Sequence, residues 1–214
     1  MKTRAIQRLQ KVIQAYSDNV RDVNQRIETA RKTYLPDVFK QHEAAARDDL
    51  HRLAREARTE IETVKDSEIE NVNEWARMNG AKIDSGDLAL LNGAFDLSGK
   101  DIDALVAKHK DNATMLNAIG KYYEQRQSQG AKDGTLSDAI SIPAIPTAKN
   151  KTDAIIRFSR AAANLVTGIE NNPGSVSRYK DKDGLSDATS TDMLVAGFGT
   201  AGMSDKKDFY VLED

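Results

Sequence analysis

The residues able to do chemistry are few, and their spacing rarely suits a reaction. Histidine occurs three times, at His42, His51 and His109. His42-Glu43 begins like the helical zinc-protease motif, but Ala46 stands where its second histidine belongs. Gly93 through Gly99-Lys100 is similar to a phosphate loop. Its glycines are one residue too far apart, and Asp101 replaces the hydroxyl that would hold magnesium. Asp181-Lys182-Asp183-Gly184 with Asp187 has the look of a calcium loop. Aligning Gly184 with the loop glycine leaves Tyr179 and Ser190 where carboxylates are required. Carboxylate pairs such as Asp48-Asp49 fall on charged helix faces. No serine lies in a Gly-x-Ser-x-Gly elbow, and no cysteine is present. Thiolate zinc sites, iron–sulfur clusters, disulfides and cysteine catalysis are therefore excluded. The reading is a protein that is not an enzyme and has no cofactor, catalytic residue or metal site.

The elements that would position such groups point elsewhere. The chain has 214 residues, 39% apolar and 30% charged, with a net charge of −2. That balance favours long helices with solvated faces over a large globular core. The fold class expected is all-α: a long helical hairpin or coiled coil, then short helices, then a mostly irregular C-terminal tail. No apolar run nears the ~18 residues of a membrane span, and the basic start Met1–Arg8 lacks the apolar core of a secretory signal. Neither a membrane span nor a leader is expected.

The divisions expected are heptad-patterned helices over 1–79, a short-helix hairpin over 80–128, a linker over 129–150, a helix over 151–170 and a docking tail over 171–214. In the first, Ile6, Leu9, Ile13, Tyr16, Val20, Val23, Ile27, Ala30 and Tyr34 recur at spacings of three and four. This seam needs a partner helix, and self-association of copies would supply one. Pro36 breaks the pattern and opens a second helix that should run to Asn79, stopped by Gly80. Its stripe includes Phe39, Ala46, Leu50, Leu53, Ala57, Ile61, Val64, Val72 and Trp75, with a stutter after Leu53. Residues 1–34 carry eight basic and three acidic groups, and residues 35–79 carry seven basic and eleven acidic ones. Opposite signs favour pairing of the two segments, within one chain or between chains. Arg4, Arg8 and Lys11 could touch phosphates, but without interleaved aromatics nucleic acid is not the expected partner.

Farther on, Ser98 with Asp101 reads as a capping box, and Asp111-Asn112 starts another helix. The tail holds two apolar islands. Leu194 and Phe198 in one, and Phe209, Tyr210 and Leu212 in the other, are expected to dock on the helices, another copy or another protein.

Across residues 30–128 the order of parts carries a resemblance. Tyr34-Leu35-Pro36-Asp37-Val38 leads into a charged helix ending in Glu74-Trp75-Ala76. Leu97-Ser98-Gly99-Lys100-Asp101-Ile102-Asp103-Ala104-Leu105-Val106 follows, then Lys108-His109-Lys110-Asp111-Asn112-Ala113-Thr114-Met115-Leu116. This layout resembles the small helical proteins of the head-gene modules of tailed phages and prophages of Gram-positive bacteria. The resemblance implies a head- or capsid-associated virion structural protein, made in the bacterial host cytoplasm and located in the virion. Its implied partners are other virion or capsid proteins. A transient capsid-assembly scaffold and a coiled-coil adaptor unrelated to phages are the alternatives.

Overall fold

A computed structural model describes residues 4–93, 95–133, 145–176 and 189–198. Among the described residues there are seven α-helices and no strand. They are α1 (Arg4–Thr33), α2 (Pro36–Trp75), α3 (Ser85–Asn92), α4 (Gly99–Lys108), α5 (Ala113–Asp133), α6 (Ala148–Asn171) and α7 (Ser190–Ala196). The chain is all-α, as its periodicity predicts, and its two long N-terminal helices pack together. No described helix is long and apolar enough to cross a membrane.

The described residues fall into two compact units. The first holds residues 4–68, 155–176 and 189–198. It is built on α1, whose inward residues Ile6, Leu9, Ile13, Tyr16, Val20 and Val23 are all buried. Ala5, Val12 and Ser17 are buried beside them. The buried face is therefore wider than a two-helix seam and matches the broad stripe of a helix covered from more than one side. From α2 come Ala46, Leu50, Ala54, Ala57, Ile61 and Val64. Here Ala54, not Leu53, occupies the inward position, so the steps from Leu50 are four, three, four and three. The stutter expected after Leu53 is thereby removed. From α6 come Ile155, Phe158, Ala162, Val166 and Ile169. Each fully buried aliphatic side chain contributes about 1.5–3 kcal/mol.

The second unit holds residues 69–93, 95–133 and 145–154. Its core is Leu91, Ile102, Leu105, Met115, Leu116, Ile119, Tyr122, Tyr123 and Ile145. Helix α2 ends at Trp75 rather than at Asn79, and Gly80 instead opens a 3-10 turn whose Ala81 amide is capped by Asn79 at 3.0 Å. The Leu88–Leu91 cluster is a full helix, α3, capped by Asp84. The Ser98 capping box forms as its spacing predicts: the Ser98 amide donates to Asp101 at 2.8 Å and the Asp101 amide to the Ser98 hydroxyl at 3.3 Å. The Met115 amide donates to the Asn112 side chain at 3.3 Å, at the start of α5. Helix α5 runs to Asp133, into the segment expected as linker, and α6 begins at Ala148.

Candidate interaction surfaces

The α1 seam, expected as an interface between copies, is filled from within the chain. Its charges are matched there too. Arg8 Nη1 meets Glu68 Oε1 at 2.5 Å, and Arg26 Nη2 meets Asp49 Oδ2 at 2.9 Å. Basic α1 thus pairs with acidic α2, as the opposite signs of the two segments favour. The arginine hydrogen bonds of Arg26, then Arg52, hold the Asp49 carboxyl below its usual range. Farther along, His51 and Arg58 of α2 both reach Glu170 of α6, the first at 3.0 Å. The hydrogen bond from His51, aided by Arg58, lowers the Glu170 pKa. Burial pushes the Tyr16 hydroxyl up to about 12, with the nearby Glu170 charge adding to the rise.

The same seam ends differently. Ile27 is half-buried and Tyr34 is 46% exposed, its ring stacked on His42 at 4.5 Å. At the turn into α2, Leu35 is 78% and Val38 is 41% exposed. Arg31 lies over the Phe39 ring at 6.0 Å, and Lys40 is paired with Asp37 at 3.6 Å. The tip of this helical hairpin is an apolar knob set among charged groups.

The first tail island docks on its own chain. Thr189 and Asp192 form a capping box that starts α7, a helix not foreseen in a tail expected to be irregular. Phe198 is fully buried and meets Phe158 of α6 edge-on at 6.2 Å. Leu194, also expected to dock, is 47% exposed. Phe209, Tyr210 and Leu212 lie outside the described residues, as does the calcium-like Asp181–Asp187 stretch.

In the second unit the structure brings together groups that sequence reading left scattered. Asp84, Asp87 and His109 place ligand atoms within 4.8 Å of one another. His109 Nε2 lies 2.6 Å from Asp87 Oδ2, and Lys108 Nζ lies 2.7 Å from Asp87 and 3.0 Å from Asp84. The carboxylates stand at the N-terminus of α3, and Lys108 and His109 close the C-terminus of α4. Each helix end thus meets the charge its dipole favours. The Lys108 ammonium fills the role a metal ion would have between the two acids. Hydrogen bonds from Lys108, then His109, hold the Asp87 carboxyl below its usual range. The Asp87 backbone amide, then Lys108, does the same for Asp84. The cluster ties two helices, and its chemistry is that of a structural clamp.

Beside it, Met78, Ile83, Leu88, Leu91, Met115 and Tyr122 line an open apolar cleft of about 270 Å³. Gly93, one of the phosphate-loop-like glycines, has a packing role: a Cβ there would lie 2.7 Å from the Phe95 ring and 3.0 Å from the Ala89 carbonyl oxygen.

Compared with family models, with curated proteins and with solved structures, the chain finds no match.

Proposed function

We propose that the protein is a structural component without catalytic activity, acting by docking on other protein subunits, and that its setting is the head of a tailed phage. The observation that carries the docking reading is the hairpin tip. Tyr34, Leu35 and Val38 are exposed side by side, whereas the large apolar residues of α1 from Ile6 to Val23 are buried. A contiguous exposed apolar patch on an otherwise charged body marks a protein contact. The phage setting rests on the layout over residues 30–128, which opens with this Tyr34-Leu35-Pro36-Asp37-Val38 tip. Multiple copies would act together, as a head-associated virion component or as a scaffold that leaves after assembly. The covered seam favours a second reading, an adaptor that works as a single copy.

The test is incorporation into particles. Heads purified from a lysate of a host carrying the gene should contain the chain by mass spectrometry. A Leu35→Glu, Val38→Glu variant should fold with unchanged thermal stability and be lost from the heads. Heads that never contain the wild-type chain would overturn the virion reading. Retention of the variant at wild-type level would overturn the tip as its docking site.

A further inference from the structure

Three helices cover the inward face of α1, and α7 is by far the shortest. Seven residues are too few to remain helical alone, so α7 depends on the groove that holds it. That groove is specific. At one end Arg21 Nη2 meets Asp192 Oδ1 at 3.1 Å, both groups buried. At the other, Gln10 Nε2 donates to the Ala196 carbonyl oxygen at 2.9 Å. Between α7 and α6, Phe198 meets Phe158. The outer face of α7 presents Met193 and Leu194, exposed by 64% and 47%.

We propose that this groove is also the site where a second copy of the chain binds, by exchange of α7: the α7 of one molecule seats in the groove of another. The inference rests on the reading of the protein as one that acts in multiple copies. Every contact needed in trans already exists in cis, so exchange requires no new complementarity, only the cost of association. The other two covers, α2 and α6, have 40 and 24 residues and cannot leave without dismantling the core. Residues 177–188 join Val176 to Thr189, thirteen Cα–Cα steps that reach at most about 47 Å.

Charge reversal tests the exchange. Arg21→Glu alone and Asp192→Lys alone each place like charges in the groove, in cis and in trans. Mixed, the two variants are repulsive in cis and complementary in both trans pairings. The mixture should form a dimer by light scattering that neither variant forms alone; a mixture that scatters as the sum of its parts overturns the exchange. A second arm covers misfolding of either variant. The chain has no cysteine, so a Gln10→Cys, Ala196→Cys variant can be cross-linked by a short bis-maleimide, which spans the gap that the long glutamine side chain bridges here, to lock α7 in cis. The locked monomer should lose the concentration-dependent mass of the wild type. A locked monomer that still associates overturns exchange and leaves the multi-copy reading standing. A wild type that stays at 23.6 kDa at every concentration overturns both. Failure of the two thiols to be cross-linked by this reagent in cis or in trans places α7 outside the groove and overturns the exchange.

Discussion

Arg21 of α1 and Asp192 of α7 pair at 3.1 Å across 171 positions of sequence, with side chains only 5% and 1% exposed. Asp18 holds the other guanidinium nitrogen, and Asp192 keeps its second oxygen for the Thr189 amide at 2.9 Å. One carboxylate thus starts a helix and anchors it to the body. Removing one partner of a buried pair costs about 3–5 kcal/mol, because the other is left buried without its counter-charge. Asp192→Ala should therefore release α7 rather than be tolerated in place. Hydrogen exchange should show the amides of 190–196 losing protection while those of α1 keep theirs.

A second prediction concerns the seam. Ile13 and Val20 are fully buried inside one chain. Ile13→Ala should lower the unfolding free energy by about 2–5 kcal/mol. Lysine at both positions should unfold the first unit while the Ser98 capping box and the α4–α5 pair persist, read by hydrogen exchange along the chain. If both substitutions left the first unit folded and only changed association, the seam would face another molecule.

Tyr16 supplies a third. Its hydroxyl is buried without a hydrogen-bond partner among the described residues. An unpaired buried hydroxyl costs free energy, so Tyr16→Phe should be neutral or stabilising by about 1 kcal/mol. Because the folded pKa of about 12 exceeds the ordinary value of 10.0, the wild type is fully stabilised below pH 10 and loses stability as pH climbs from there through about 12. Denaturant midpoints measured against pH should lose this alkaline step in Tyr16→Phe.

The clamp on α3 gives a fourth. Asp84 and Asp87 have folded pKa values below their ordinary ones, so their contribution is present above the ordinary carboxylate value of about 4 and is lost as pH falls through the depressed folded values. Lys108→Met should destabilise the second unit at neutral pH. Its deficit against wild type should shrink below about pH 4, as both proteins lose the charged acids. A deficit independent of pH would mean that Lys108 acts through packing of its stem.

Periodicity made the long helices legible, because a surface helix must repeat its apolar residues near every 3.6 positions. It hid the width of the α1 face, since Ser17 and Arg21 are polar residues buried by tertiary partners. Alanine explains the error on α2: Ala54 is too small to stand out beside Leu53, yet a small side chain suits close packing of helices. The Ser98–Asp101 box was legible beside an apolar run. The same signature at Thr189–Asp192 was missed in a Gly- and Ser-rich tail, because a seven-residue helix carries almost no period of its own. The Asp84, Asp87, Lys108 and His109 clamp exists only once two helix ends meet, and residues about 20 positions apart give no local sign of it.

The α1 seam from Ile6 to Val23 is an internal core of one chain. Hydrogen exchange by mass spectrometry on the chain diluted to its monomer tests this most directly. The amides from Ile6 to Val23 should be strongly protected in that monomer. Weak protection there, rising only as the chains associate, would contradict it.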